Sequence, residues 1–173
     1  RGGALDNTGM VFTGDQGLAI GSHGLLGKEN MYDHSLSAPL ILAGPGVPAG
    51  GYSEALVHHV DLYPTLCGLT GVPRPATASD GFDLGPLLRG EQASVREQVF
   101  CEFYSPESST SGMRWTQRAV RTTRWKLTWY PLHGRCQLFD LQHDPHELVD
   151  LLVPWRRRRR AYAAEGSLIW APD

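Results

Sequence analysis

The sequence predicts an α/β chain whose later part is a small antiparallel sheet, and three observations lead there. Two short apolar runs, Met10 to Thr13 (MVFT) and Ala38 to Ala43 (APLILA), stop abruptly at Gly14-Asp15 and at Gly44-Pro45-Gly46, as buried strands of an α/β sheet do on entering a loop. A helix signal follows at Asp61 to Leu69. From Val99 onward the runs become short, aromatic and β-branched, divided by Ser-, Gly- and Pro-rich turns.

Each element has its own justification. Thr13 to Ser35 (TGDQGLAIGSHGLLGKENMYDHS) links the first two strands, and its glycines let the backbone fold close to a ligand. In Asp61 to Leu69 (DLYPTLCGL), Asp61 is a natural N-cap and Pro64 sits in the first turn, where a missing N–H does no harm. Leu62, Leu66 and Leu69 share one face, and Gly71 and Pro73 end the helix. Leu84 to Leu88 is a short helical turn after a loop from Pro73. Val99 to Tyr104, Gln117 to Thr122, Trp125 to Tyr130 and Gln137 to Leu141 are the antiparallel strands. Asp144-Pro145-His146-Glu147 then reads as a helix start, with Asp144 as N-cap and Glu147 completing a capping box. The expected organisation is therefore residues 1–95 as part of an α/β domain, 96–153 as an antiparallel subdomain with its helix, and 154–173 as an atypical Arg-rich tail.

Composition narrows the function classes. With 173 residues, 41% of them hydrophobic, the chain is long enough for a real core. Its formal net charge of -2 argues against a nucleic-acid partner, and the local exception, Arg156 to Arg160, reads as a solvated basic tail. Cys67, Cys101 and Cys136 are too widely spaced for a CxxC metal or redox motif. No apolar stretch reaches the roughly 18 residues of a membrane span, and no charged-then-apolar signal layout stands at Arg1. No pattern in the sequence indicates an oligomeric state.

Within the linking loop, Asp15 and Gln16 offer a carboxylate and an amide oxygen, hard donors suited to calcium, and less so magnesium, rather than zinc or copper. Two ligands alone do not hold such an ion, and an Asp that caps a turn is the competing reading. Lys28 is a compact charge able to meet a sulfate or phosphate oxygen, although a solvated lysine is the commoner case. His23, in Gly21-Ser22-His23-Gly24, has the chemistry of a general acid or oxyanion donor, against a loop histidine bound to a backbone carbonyl. His34, His58 and His59 read as structural, since no third ligand lies at zinc-site spacing.

Taken together, Phe12-Thr13-Gly14-Asp15-Gln16-Gly17, Gly21-Ser22-His23-Gly24, Gly27-Lys28, Met31-Tyr32 and Ala38-Pro39-Leu40 closely resemble the sulfatase family, within the alkaline-phosphatase-like superfamily. The likeness continues through Val60 to Leu66, Gly71-Val72-Pro73, Asp80-Gly81, Leu87 to Gly90, Arg118 to Leu127, Gln137 to Leu141 and Asp144 to Leu148, so it spans about Leu5 to Leu152. It implies the carboxyl-terminal portion of an alkaline-phosphatase-like sulfatase fold and a sulfuric ester hydrolase acting on a sulfated small molecule or glycan. By the same resemblance, Asp15 and Gln16 hold a divalent cation, usually calcium, Lys28 contacts the sulfate as a catalytic and substrate-binding residue, and His23 lies at the substrate end of the pocket.

One departure is large. The family's nucleophile is a formylglycine made within a C/S-x-P-x-R motif, and none of Cys67, Cys101 or Cys136 stands in one. The paired aspartates that complete the metal site are missing too, so the chain is expected to begin beyond them and to be inactive alone. Export to a periplasmic, secreted or lysosome-type compartment fits the resemblance, while the residues themselves leave the cytoplasm open as well. Two other readings stand beside the sulfatase: a phosphoester or phosphonate monoester hydrolase of the same superfamily, and a non-catalytic remnant or binding module.

Overall fold

The computed structural model describes residues 3–75, 80–105 and 115–153. In chain order its elements are β1 (Met10–Thr13), β2 (Ala19–Ile20), β3 (Leu26–Gly27), α1 (Asp33–Leu36), β4 (Leu40–Ala43), α2 (Leu62–Thr70), α3 (Gly85–Leu88), β5 (Gln98–Ser105), β6 (Trp115–Thr122), β7 (Trp125–Tyr130) and β8 (Arg135–Asp140). They form two compact units, residues 1–15 with 39–99, and residues 16–38 with 100–173. The Arg156 to Arg160 run lies outside the described residues.

In the first unit β1 and β4 pair antiparallel, Met10 opposite Ala43 and Thr13 opposite Leu40. The apolar run of β1 suggested a buried strand, yet all four of its residues are exposed, Phe12 by 63%. Among the described residues β1 has one strand neighbour, and toward α2 the ribbon leaves a cavity of about 350 Å³ lined by Met10, Val11, Leu42, Leu66 and Leu69. The leucine face expected to bury therefore remains partly open, Leu66 included, while Pro64, Thr65 and Cys67 form the buried side of α2.

Asp61 begins α2, but its side chain does not cap the helix. The fully buried carboxylate instead accepts from the backbone amides of His58 (2.7 Å) and Phe82 (2.9 Å) and forms a bidentate pair with the Arg96 guanidinium. Burial alone would raise its pKa; Arg96 and the two amides outweigh that and hold it below the usual carboxylate value. The first free N–H groups of a helix are worth less to this carboxylate than a desolvated guanidinium. At the other end, Gly71 in the left-handed region closes α2 as the sequence implies.

The second unit is built on a four-stranded sheet in the order β5-β6-β7-β8, with Arg121 opposite Lys126 and Trp125 opposite Asp140. Burial along β7 alternates: Lys126 and Thr128 are inside, and Trp125, Leu127 and Trp129 outside. The helix expected at Asp144 does not form; Pro145 and His146 make a turn, followed by irregular backbone. Asp144 accepts from Leu148 N (3.0 Å) and Val149 N (2.7 Å), and Glu147 takes a left-handed conformation, φ 56°. The capping box loses because the Glu147 carboxylate is drawn inward to a buried lysine. No helix among the described residues is long and apolar enough to cross a membrane.

Candidate functional site

The candidate residues sit on the segment after β1. His59 Nε2 lies 2.7 Å from Gly14 O and 3.3 Å from Thr13 Oγ1. A carbonyl only accepts, so Nε2 carries the proton and pins the backbone just before Asp15. Asp15 is exposed and closes the first unit's opening segment; Gln16 is half-buried and opens the second unit. Their oxygens have the hardness calcium requires, but among the described residues no three His, Cys, Asp or Glu side chains gather into a metal site. The pair suits such an ion in kind and supplies only part of its usual six to eight oxygens.

His23 and Lys28 are placed by a hairpin in the second unit. Ala19 pairs with Gly27 and Ile20 with Leu26, so His23 occupies the tip and Lys28 leaves the second strand directly. Gly17 is required: a Cβ there would lie 2.1 Å from the His34 carbonyl oxygen, whose segment accepts the Gly17 amide at Ser35 O (3.0 Å). Gly27, at φ 105°, makes the sharp exit that delivers Lys28.

At the tip the His23 ring stacks on Tyr32, with centroids 3.9 Å apart and planes 13° apart, and tilts against His34 at 5.4 Å. Its Nε2 lies 3.0 Å from the His146 carbonyl oxygen, so Nε2 is the protonated nitrogen. Burial lowers the pKa below the usual 6.5, which keeps the ring neutral near pH 7 with Nδ1 as an acceptor.

Beyond Lys28 the segment is clamped. Lys126, fully buried, places Nζ 2.8 Å from Asp33 Oδ1 and 2.7 Å from Glu147 Oε1. Arg121 Nε donates to Asp33 Oδ2 (3.0 Å), and the Asp33 amide donates to Glu147 Oε2 (2.6 Å). Burial works to raise the Asp33 pKa, but Lys126 and Arg121 together hold it below the usual value. Glu147 goes the other way, because burial outweighs Lys126. The sequence reading missed Asp33, Arg121, Lys126 and Glu147. Its one signal for them was the strand alternation, which puts Lys126 on the face opposite Trp125 and Leu127.

Beside this clamp is a cavity of about 410 Å³ lined by, among others, His23, Tyr32, Gln117, Tyr130 and Gln137. Tyr130 donates to Gln137 Oε1 (2.7 Å), and Gln137 Nε2 donates to the Tyr32 hydroxyl (3.2 Å).

Residues 21–157 match the family model described as N-sulphoglucosamine sulphohydrolase, C-terminal. The chain is similar to a choline-sulfatase of Rhizobium meliloti, 36% identical over 151 residues that cover 85% of this chain and 27% of that protein. It is also similar to an N-acetylglucosamine-6-O-sulfatase of Bacteroides thetaiotaomicron, 33% identical over 154 residues, 86% of this chain and 27% of the relative. Among solved structures, a protein in complex with its substrate D-glucosamine-2-N,6-O-disulfate superposes with a TM-score of 0.77 at 29% identity, covering 91% of this chain and 33% of the other. The chain thus spans about a quarter to a third of the length of these proteins.

Proposed function

This chain belongs to the sulfatase family, and from that premise we propose that it is the carboxyl-terminal part of an enzyme that hydrolyses a sulfate ester, with a sulfated saccharide as the favoured substrate class. The observation that carries this reading is the order of the half-site: hard oxygen donors at the end of β1, then Lys28 delivered by a glycine-shaped hairpin whose exit is held by the Asp33 clamp. The names of a similar N-acetylglucosamine-6-O-sulfatase and of a similar structure solved with a glucosamine disulfate substrate support a saccharide.

In this proposal Asp15 and Gln16 supply two of the ligands to a calcium ion, with the rest from residues outside this chain. A bound calcium ion would draw charge from the sulfate oxygens as the ester bond breaks. Lys28 adds a fixed positive charge to a sulfate oxygen, an electrostatic contribution made by position alone. His23 donates through Nε2 to the His146 carbonyl, so its service to substrate is as an acceptor at Nδ1, orienting a hydroxyl at the substrate end. The family's formylglycine is expected outside this chain, and the chain by itself is accordingly predicted to be inactive toward an aryl sulfate.

Thermal melts of the chain with added ions test the reading. Sulfate is expected to raise the midpoint, because a ligand that binds only the folded state stabilises it, and calcium, with two of its ligands supplied here, to do so more weakly, at roughly millimolar concentration. Lys28→Ala should remove the sulfate increment and Asp15→Asn the calcium one. Phosphate is expected to act more weakly than sulfate. A wild-type melt moved by neither calcium nor sulfate would reject the proposal.

A further inference from the structure

Resting on the sulfatase reading, we propose that the cavity lined by Tyr32, Gln117, Tyr130 and Gln137 binds a neutral hydroxylated ring, the sugar unit next to the sulfated position. The cavity belongs wholly to the second unit, and its volume of about 410 Å³ falls within the roughly 300–1,000 Å³ typical of small-molecule sites.

Its chemistry suits hydroxyl groups, which both donate and accept. Gln117 is only 3% exposed; its Nε2 donates to Glu29 O (3.0 Å), and its Oε1 has no partner among the described residues. That oxygen is not sealed off from the cavity, so it can accept from a ligand hydroxyl. The donors from Tyr130 to Gln137 and from Gln137 to Tyr32 run in one direction, so the Tyr32 oxygen accepts within the protein. Its own proton goes to Gln137 Oε1 at 3.4 Å, a long bond to an oxygen that also accepts from Tyr130 at 2.7 Å. A ligand oxygen in the cavity would give the Tyr32 O–H a shorter bond than this one, and burial, which raises the pKa of both phenols, keeps them protonated. His23, which also lines the cavity, adds an acceptor at Nδ1.

Position agrees with chemistry. Glu29 and Asn30, which also line the cavity, follow Lys28 directly, at about 3.8 Å per residue along the chain. The cavity wall thus begins at the residue that follows Lys28 in the chain.

The test is a titration of the isotopically labelled 173-residue chain, read at the side-chain amide signals of Gln117 and Gln137, with methyl glucoside and N-acetylglucosamine as neutral probes and inorganic sulfate as a separate one. Saturable shifts with a neutral sugar are expected, weakened about tenfold in Gln117→Leu, the loss of one hydrogen bond from a buried site. Tyr130→Phe, which keeps the ring and removes only the hydroxyl that starts the relay, should weaken binding about threefold, and retained dispersion of the β7 backbone amides reports that each variant is folded. Absence of saturation, or saturation that neither variant weakens, overturns the inference, as does sulfate saturating these same amides in preference to sugar. A sulfate response lost in Lys28→Ala beside silent sugar titrations sinks only the cavity proposal. Silence toward sulfate, calcium and sugar alike sinks the half-site reading with it.

Discussion

The two units bury opposite kinds of residue. In the first, the apolar residues of β1 lie open while an aspartate, Asp61, is fully enclosed; in the second, a lysine is enclosed between two carboxylates under a sheet whose outer face carries exposed tryptophans. The difference teaches that burial is set by the number of neighbours an element acquires. A two-stranded ribbon acquires few, whatever its composition, whereas a four-stranded sheet with loops returning over it can enclose even a charge if partners arrive with it. Cohesion in the first unit is correspondingly concentrated in the Asp61–Arg96 hub, and in the second it is spread over sheet, clamp and aromatic stack.

The sharpest way to break this contrast is at the enclosed lysine. Lys126→Met leaves Glu147 without a cation and Asp33 with Arg121 alone, and should cost about 3–5 kcal/mol. All five tryptophans lie beyond residue 114, so denaturant unfolding followed by tryptophan fluorescence reads the second unit. A loss under about 1 kcal/mol would mean the clamp is not the unit's anchor. Phe139→Ala, at a residue 1% exposed, should cost a similar amount by leaving a cavity.

Asp61→Asn comes next, at about 1–3 kcal/mol, since the amide keeps one acceptor but strands the Arg96 charge. Far-UV circular dichroism of α2 in urea measures it, and an unchanged midpoint would show that the hub is dispensable.

A smaller effect separates the units by pH. Burial holds His23 and His34 below the usual 6.5, so the stability their neutral forms confer is complete above that pH and declines as pH falls below it. Asp61, held below the usual 3.8, keeps its contribution until pH drops through its folded value, so the first unit weakens only in stronger acid. Glu147, raised by burial, acts in the reverse sense, its contribution fading as pH rises. Going from pH 7.5 to 5.5 should therefore lower the tryptophan-reported melting midpoint before the helical one, by less than the two histidines alone would give because Glu147 opposes them; equal shifts would cancel the distinction. Smallest of all, Phe12→Ser at an exposed strand position should change stability by no more than about 0.5 kcal/mol, and a chemical-denaturation loss above 1 kcal/mol would show that β1 is covered after all.

Much of the fold was legible before any coordinates. The four antiparallel strands lie within a few residues of their expected limits, and the turn at Gly71 and the short helix at Gly85–Leu88 stand where the sequence put them. These features are encoded locally, by side-chain period and by the backbone freedom of glycine and proline. The order of Asp15, Gln16, His23 and Lys28, and the family they resemble, were legible for the same reason: one short segment carries them all. Asp144 to Glu147 misled because it satisfies a local rule for starting a helix while Glu147 answers to Lys126, 21 positions earlier.

What the sequence alone determined, then, is where strands, turns and the half-site loop lie and which chemistry that loop carries. Only the tertiary structure decided that Lys126 is a buried tie to Asp33, 93 residues away, and that Asp61 serves Arg96 rather than its own helix. The reason is physical: periodicity and dihedral preference act over a few residues, but the burial and charge a side chain meets are set by whatever distant segments pack around it.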